Sequence, residues 1–253
     1  MRLSVTLPQI VLGLPIRNVE NPYLVSPVGR VRVEVSYSDG CSGLNASNVP
    51  SDVAGRLSSF WSKLSSGLEL NGCATISLLD EVHGGSSLYS ALTVALLHAV
   101  ARAHSDVMDE YEIVEFGRMS DPWEAPWWQG AIDAMRFCSA TGKVVAYRND
   151  EEAVELSQGE VKASLHAIEA VGDGAGLEQL GESVANAIVH AIGQAVLEAS
   201  ESIRQGSTPR DEVVRWARLQ NGIAHVVYGV SIPPGSCVWA PGLPGMLEAV
   251  CIA

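Results

Sequence analysis

The segment from Leu68 to Ala103 constrains the fold of this chain more than any other. Apolar residues alternate as far as Leu79, which is the period of a β-strand with one buried face. From Leu88 to Ala103 they recur at intervals of three and four residues, the period of a helix, and no proline interrupts them. The two patterns are joined by Gly84-Gly85-Ser86-Ser87. The segment therefore predicts a strand, a glycine-serine turn and a long helix in direct succession.

The glycine-serine turn is typical of an anion-binding site. The first N–H groups of a helix have no partner within the helix, and the helix dipole adds partial positive charge there. Glycines let the backbone approach a phosphate closely, and the hydroxyls of Ser86 and Ser87 add hydrogen-bond donors or a metal ligand. A plain capped turn can contain the same residues. The motif alone therefore leaves both interpretations open, an anion-binding site and a capped turn.

The rest of the chain mixes strand and helix patterns and predicts an α+β protein. The expected strands lie near residues 3–7, 31–35, 143–147 and 235–253, and the expected helices near residues 52–67, 111–116, 177–203 and from 208 onward; residues 165–170 are expected to open the second half. Two segments are predicted to be loops because they are rich in turn residues, Ser36 to Asp52 and Asp121 to Gly130. There is no internal repeat, and the 253 residues are enough for one large domain or two halves.

The charge of the chain argues against nucleic acid as a partner. The formal net charge is -13, and the 16 lysines and arginines are scattered rather than clustered. The most apolar stretch, Leu88 to Ala103, contains His98 and Arg102 and is too short to span hydrocarbon, so no membrane partner is expected. The N-terminal residues alternate like a strand and lack the features of a signal peptide. These observations predict a cytoplasmic protein with a small-molecule substrate, and a homodimer is compatible with them.

The five cysteines are widely spaced and form no C-x-x-C pair. They predict neither a zinc site nor a disulfide framework. We expect most of them to be buried as small apolar residues in a reducing compartment. The five are Cys41, Cys73, Cys138, Cys237 and Cys251.

Two segments resemble motifs of the GHMP kinases, the superfamily of galactokinase, homoserine kinase, mevalonate kinase and phosphomevalonate kinase. Glu81-Val82-His83-Gly84-Gly85-Ser86-Ser87-Leu88-Tyr89-Ser90-Ala91 resembles their Pro-x-x-x-Gly-Leu-Gly-Ser-Ser-Ala-Ala motif, without its proline and middle leucine. Gln129-Gly130-Ala131-Ile132-Asp133 resembles their Ser-Gly-x-Asp segment, and Ser139 to Val145 stands where they turn into a strand. The order and the spacing of the matches agree with the family.

The resemblance implies an α+β, two-lobe GHMP-kinase-like fold. Its N-terminal lobe, expected at residues 1–155, would be of the ribosomal S5 domain 2 type, and its C-terminal lobe, at residues 156–253, ferredoxin-like. ATP phosphates would lie over the loop formed by His83, Gly84, Gly85, Ser86 and Ser87. Such phosphoryl transfer works mainly by positioning and charge stabilisation.

The resemblance also implies roles for single residues. Asp133 stands where the family has the aspartate that acts as a base or orients the substrate hydroxyl. Ser87 and a carboxylate of the next helix, Glu112 or Glu115, would hold Mg²⁺. Basic residues near the tryptophan-rich loop, Arg118 and Arg136, are candidates for binding a substrate carboxylate or phosphate, although surface ion pairs are the simpler account.

Aromatic and histidine side chains near the loop have alternative interpretations. Trp127, with Trp123 and Trp128, would stack on a base or an aromatic substrate, or anchor the core. His83 would polarise a phosphate oxygen or serve a structural role.

Two further functions remain open from the sequence. Glu115-Phe116-Gly117-Arg118-Met119 and Gly235 to Pro241 are similar to segments of archaeal β-ribofuranosylaminobenzene 5'-phosphate synthases, which use phosphoribosyl diphosphate. The stretch from Pro234 to Gly245 stands in place of the family's third, glycine-rich motif, and its prolines remove N–H donors. That departure leaves open a catalytically silent member kept as a binding or dimerisation module.

Overall fold

The computed structural model describes residues 1–17, 19, 21–83, 85–123, 126–149, 153–157, 159–171 and 180–253. These residues form nine strands and six helices. The strands are β1 (Arg2–Leu12), β2 (Tyr23–Asp39), β3 (Gly43–Ser47), β4 (Gly72–Leu78), β5 (Val144–Tyr147), β6 (Val154–Ser157), β7 (Ala163–Ala170), β8 (Cys237–Pro241) and β9 (Met246–Ile252). The helices are α1 (Ser51–Gly67), α2 (Ser86–Ala103), α3 (Glu110–Ser120), α4 (Pro126–Thr141), α5 (Glu182–Arg204) and α6 (Pro209–Tyr228).

The chain divides into two compact units. The first unit comprises Met1–Pro8, Gly29–Glu124 and Met135–Gly142, and the second comprises Gln9–Val28, Ala125–Ala134 and Lys143–Ala253. Three elements, β1, β2 and α4, cross from one unit into the other along the chain. The lobe boundary expected at residue 155 stays a prediction.

The sheet of the first unit is built on the second half of β2. That half pairs antiparallel with β4, from Val33 opposite Leu78 to Asp39 opposite Gly72. β3 pairs parallel with the other edge of β4. Val31, Val33 and Val35 are fully buried while Arg32 and Glu34 are exposed, as expected for a strand with one face on the core.

Helix α2 forms the centre of the first unit. Fourteen of its 18 residues are buried, and a helix that is apolar all round belongs in a core. The apolar face of α1, with Leu57, Phe60 and Leu64, is buried in the same unit. Among the described residues no helix is both long and apolar enough to cross a membrane.

The second unit contains a three-stranded antiparallel sheet in the order β7-β9-β8. Helices α5 and α6 are packed on each other in this unit. Thr208 caps α6 by accepting a hydrogen bond from the backbone N–H of Asp211, and Pro209 occupies the first turn. The buried core here consists of aliphatic residues from the strands and both helices: Val11, Leu12, Leu24, Val144, Val161, Val196, Ala199, Ile203, Val213, Val238, Ala240, Val250 and Ile252.

Two loop predictions were wrong. Part of the polar segment Ser36 to Asp52 forms β3, a five-residue edge strand that lies among serines, glycines and asparagines typical of turns. Residues 126–130 were expected in a loop but begin α4. Proline is well suited to the first position of a helix, so Pro126 starts this helix rather than excluding it.

The expectation that the cysteines form no disulfides was also wrong. Cys41 is bonded to Cys73, with Cα atoms 5.1 Å apart, and Cys237 is bonded to Cys251. The second pair lies directly opposite in the register of β8 and β9. Cys138 is a buried free thiol, and burial raises its pKa.

Candidate functional site

The loop before α2 is held at the end of β4 by an ion pair. The backbone N–H of Arg32 donates to Asp80 Oδ2 at 2.7 Å, and its Nε donates to Oδ1 at 2.9 Å. These hydrogen bonds and the guanidinium charge lower the pKa of Asp80. The chain therefore leaves the strand from a fixed point.

The head of α2 has the backbone geometry of an anion-binding turn. Gly85 immediately precedes the helix with φ 103° and ψ -170°, a conformation that is essentially restricted to glycine. The first helical hydrogen bond runs from the N–H of Tyr89 to the carbonyl of Gly85 at 3.0 Å. The N-cap residue, Gly85, has no side chain, and the first turn of α2 has no acidic residue. A ligand anion would therefore meet no competing carboxylate from this turn.

The side chains of the predicted loop differ in exposure. His83 is exposed, Ser86 is fully buried and Ser87 is half-buried. Gly84 lies outside the described residues. Of the two serines, Ser87 is the one whose hydroxyl has access to a bound molecule.

Arg136, predicted to bind substrate, is fully buried in the first unit. It makes two hydrogen bonds to Asp121, from Nη1 at 2.7 Å and from Nη2 at 2.5 Å. Tyr89 donates to the same carboxylate at 2.8 Å. The guanidinium therefore belongs to a network inside the unit that includes the helix following the loop.

An aromatic group continues from this network to the residues just before α4. The rings of Tyr89 and Trp123 have centroids 5.1 Å apart, and the guanidinium carbon of Arg56 lies 5.9 Å from the centroid of Trp123. The half-buried Trp123 thus packs beside the first turn of α2.

Helix α3 presents two of the predicted ligands to the surface. Glu115 and Arg118 are both exposed. The alternative carboxylate, Glu112, accepts a hydrogen bond from the N–H of Asp109 at 2.9 Å and closes a capping box at the start of α3. Glu115 is therefore the better candidate of the two for a metal ligand.

Asp133, the predicted catalytic residue, lies in the second unit on the first half of α4. Its side chain is fully buried, and Gln129 Nε2 donates to its Oδ1 at 2.9 Å. Tyr23 is close enough that the charge of Asp133, after burial, raises the pKa of its phenol. The carboxylate is thus buried, with the amide of Gln129 as one of its hydrogen-bond partners.

The tryptophans at the start of α4 have separate surroundings in the second unit. The ring of Trp127 lies under the guanidinium carbon of Arg17, which is 5.5 Å from its centroid. Trp128 is buried and donates to the carbonyl of Gly242 at 2.9 Å. Trp128 is therefore a core anchor, whereas the half-buried Trp127 keeps its predicted role in substrate binding as an expectation.

The C-terminal stretch that stands in place of a glycine-rich motif forms a β-hairpin. Strand β8 pairs with β9 along Cys237–Pro241. The N–H of Gly242 donates to the carbonyl of Met246 at 3.0 Å. The N–H group of Gly242 is thus engaged in a backbone hydrogen bond of the hairpin.

The network around Arg136 was not predicted from the sequence, although one feature indicated it. Arg136 is a single charge within the apolar run Ala134 to Cys138 of a helix. A charge in such a run is buried and needs a partner. The partner, Asp121, stands beside a proline in the segment predicted to be a loop.

Comparisons with known proteins were made on sequence and on structure. No family model matches this sequence, and no curated protein matches it. The structure is similar to that of Methanococcus jannaschii mevalonate kinase, with a TM-score of 0.66 and 11% identity over 100% of this chain and 90% of that one. It is similar to Streptococcus pneumoniae phosphomevalonate kinase in complex with phosphomevalonate and AMPPNP, with a TM-score of 0.60 and 12% identity over 100% of this chain and 92% of that one. For mevalonate diphosphate decarboxylase from Staphylococcus aureus the TM-score is 0.61 and the identity 9%, over 99% of this chain and 87% of that one.

The chain has the fold of the GHMP kinases. This confirms the predicted GHMP-kinase-like α+β class, and it agrees with the strand, turn and helix order from β4 to α2 on which the resemblance was based. At 9 to 12% identity the likeness is one of fold. The neighbours with this GHMP-kinase fold include a decarboxylase as well as kinases, so the chemistry must be argued from the residues.

Proposed function

We propose that this protein is an ATP-dependent kinase that phosphorylates a hydroxyl group of a small metabolite. The observation that carries the proposal is the head of α2. There Gly85, in a glycine-only conformation, is the N-cap residue of an 18-residue helix whose first turn has no acidic residue. Phosphates bind at such helix ends because backbone N–H groups and the helix dipole act together. Neighbours that are kinases, one of them holding AMPPNP, support ATP as the anion.

Ser87 and Glu115 are the residues of this chain that fit Mg²⁺. The half-buried hydroxyl of Ser87 lies in the first turn of α2, and the carboxylate of Glu115 is exposed on α3. Mg²⁺ prefers hard oxygen donors and is commonly held by one or two protein groups together with substrate phosphates. When bound, the ion would offset negative charge on the phosphates.

Asp133 is the proposed base. The acceptor oxygen would form a bond to the γ-phosphorus while the bond from that phosphorus to its bridging oxygen breaks and ADP leaves. The proton of the acceptor hydroxyl would pass to the carboxylate of Asp133. A buried carboxylate that is hydrogen-bonded by a neutral amide, as from Gln129, is suited to take up a proton.

His83, Arg118 and Trp127 are further candidates for ligand contact in this proposal. His83 and Arg118 are exposed, and Trp127 is half-buried, so each has surface available to a ligand. In this proposal His83 contributes to the phosphates, while Arg118 and Trp127 contribute to the acceptor.

A second candidate function is a catalytically silent binding or dimerisation module. The specific observation in its favour is that Asp133 and Ser86 are both fully buried. In a silent member these side chains would only stabilise the fold, and the protein would bind without turnover.

The compartment also needs to be reconsidered in this proposal. The two disulfides do not suit a reducing cytoplasm, because such bonds persist in oxidising compartments or in hyperthermophiles. We propose that the protein matures under conditions that keep both pairs oxidised. Mass spectrometry of the native protein, alkylated without reductant, would reveal whether four of the five cysteines are protected.

Ligand-dependent thermal stability tests the proposed kinase against its alternatives. A ligand that binds only the folded state raises the melting temperature. A shift with ATP and Mg²⁺ supports the kinase. A shift with phosphoribosyl diphosphate alone supports the synthase-like enzyme, and no shift with either supports the silent module.

A pair of glycine variants tests the loop itself. Gly85→Ala forces a side chain into a conformation with φ 103° and should weaken ATP binding about tenfold or more. The matched control is Gly55→Ala, because Gly55 lies exposed in α1 with nothing within 4 Å of an added Cβ. Equal ATP affinity of both variants in calorimetry would remove the loop from the proposal.

Acceptor trials should begin with R-mevalonate and phosphomevalonate. Leishmania major mevalonate kinase holds R-mevalonate, and the pneumococcal kinase holds phosphomevalonate. Release of ADP that depends on one of these compounds, followed by detection of its phosphorylated form, would establish transfer. ADP release without acceptor dependence would count against it.

A further inference from the structure

The first unit buries an ion pair beside the helix that follows the loop. Arg136 and Asp121 are joined by the two hydrogen bonds of 2.7 and 2.5 Å, and their side chains are 0% and 1% exposed. Two parallel bonds between guanidinium and carboxylate fix the relative orientation of both groups. Lys63 Nζ also donates to the backbone carbonyl of Asp121 at 2.8 Å, which fixes the chain at this residue.

Two hydrogen bonds connect this pair to α2. The hydroxyl of Tyr89 donates to Asp121 Oδ1 at 2.8 Å, and Arg136 Nε donates to the hydroxyl of Thr93 at 3.1 Å. Tyr89 and Thr93 are four residues apart and so lie on one face of the helix. The N–H of Tyr89 closes the first turn onto Gly85. The pair therefore holds the first two turns of α2.

The groups packed around Arg136 fix the position of its guanidinium. A Cβ added at Gly117 would lie 2.8 Å from Arg136 Cδ, so α3 can approach only because this residue is glycine. The rings of Phe60 and Tyr89 lie 5.6 and 5.7 Å from the guanidinium carbon. Helices α1, α2 and α3 thus all shape the cage around Arg136.

A buried ion pair of this kind is not the most stabilising way to fill a core. Loss of hydration offsets most of the attraction between the charges, and well-packed apolar side chains often give equal or greater stability. What the pair adds is orientation, because its hydrogen bonds are satisfied in one arrangement only. Burial, and after it the charge of Asp121, raises the pKa of Tyr89, so its phenol remains a donor.

We propose that Asp121 and Arg136 are positioning residues that act through Tyr89 to hold the first turn of α2, and with it Gly85 and Ser87, in the arrangement that binds phosphate. The part of this inference that concerns phosphate rests on the proposed kinase function. The part that concerns the first turn of α2 does not.

Tyr89→Phe is the variant that tests the inference. Removal of Arg136 or Asp121 would leave a buried charge unpaired and risk unfolding, whereas Tyr89→Phe keeps the ring and deletes one hydrogen bond. The matched control is Ser139→Ala. It deletes a buried hydroxyl that donates to the carbonyl of Thr6 at 2.8 Å in the same unit, without contacting α2 through that bond.

Two measurements on both variants and on the unaltered protein give the answer. Amide hydrogen exchange without nucleotide should be about tenfold faster over residues 85–93 in Tyr89→Phe and unchanged there in Ser139→Ala. Calorimetric titration with ATP and Mg²⁺ should give a Kd about tenfold higher for Tyr89→Phe alone.

The outcomes separate the two proposals. Equal exchange over residues 85–93 in the two variants would overturn the positioning role. Faster exchange with unchanged ATP affinity would overturn its link to phosphate binding. If the unaltered protein binds no ATP, the kinase proposal fails, while the exchange rates still decide whether the network holds the first turn.

Discussion

Helix α4 carries two fully buried charged side chains one turn apart, and their hydrogen-bond partners differ. Arg136, in the first unit, is neutralised by the carboxylate of Asp121 through two direct hydrogen bonds. Asp133, in the second unit, receives a hydrogen bond from the neutral amide of Gln129 and lies near the phenol of Tyr23.

In the proposed function, Arg136 has a structural role and Asp133 takes part in the reaction. A carboxylate paired with a guanidinium keeps its charge, because protonation would abandon the ion pair. A carboxylate that acts as a general base must take up a proton, and this is the role proposed for Asp133. In the proposed function the two buried charges of α4 thus have different tasks: Arg136 holds a helix, and Asp133 accepts a proton.

The variant with the largest expected effect is Asp133→Asn, which tests the proposed role of Asp133 as a base. The asparagine Oδ1 can still accept the hydrogen bond from Gln129, but the side chain can no longer take up a proton. We expect ATP-dependent phosphorylation to fall by about 10²- to 10⁴-fold, with ATP affinity nearly unchanged. Single-turnover kinetics and calorimetric titration with ATP measure the two quantities. Unchanged turnover would reject the base.

Arg136→Met should give the opposite result. It leaves the carboxylate of Asp121 buried without its guanidinium, and loss of one partner of such a pair costs about 3 to 5 kcal/mol of stability. The double variant Arg136→Met with Asp121→Asn should lose less, because no charge remains to be buried. Urea unfolding of the single and double variants provides the check. If the single variant is as stable as the unaltered protein, the pair is not structural.

The sequence predicted the elements whose periodicity is complete. Helix α2 could be recognised because apolar residues recur around it from Leu88 to Ala103, and the structure begins it at Ser86. Strand β3 could not, because it is only five residues long and lies in a segment rich in serine, glycine and asparagine. The start of α4 was missed because prolines and tryptophans are typical of loops, although Pro126 suits a helix start.

The candidate site was predicted in part. Gly85 and Ser87 were selected by local sequence, since a turn and a helix start involve adjacent residues. The contacts of Arg136 depend on Asp121 and on Thr93, which is 43 residues away, and no local pattern encodes such a distance. The disulfides were missed for the same reason, because their cysteines are separated by 32 and 14 residues without a motif.

The disulfides offer a separate test of each unit. Cys41–Cys73 closes a separation of 32 residues in the first unit, and Cys237–Cys251 one of 14 residues in the second. In the chain-entropy model the stabilisation is about 4 kcal/mol for the longer loop and about 3 kcal/mol for the shorter one. Removing the pairs one at a time by Cys→Ala substitution should lower stability in that order, as measured by urea unfolding without reductant.

The smallest effect concerns the exposed pair of Arg32 and Asp80. The pKa of Asp80 is lowered, first by its hydrogen bonds from Arg32. The pair therefore stabilises the fold above the ordinary carboxyl pKa of about 4. Its contribution disappears as pH falls through the lowered value in the folded protein.

Arg32→Gln should accordingly lower the urea midpoint slightly at pH 7 and have progressively less effect as the solution is acidified. Added salt should reduce the difference, since the pair is exposed and screened. The control is Arg2→Gln, which removes another exposed pair, Arg2 with Glu34 at 3.5 Å, without changing a contact of Asp80. Only Arg32→Gln should also weaken ATP binding, because Asp80 fixes the start of the segment that leads to Gly85. An equal effect of both variants on ATP affinity would mean that this exposed pair does not position the loop.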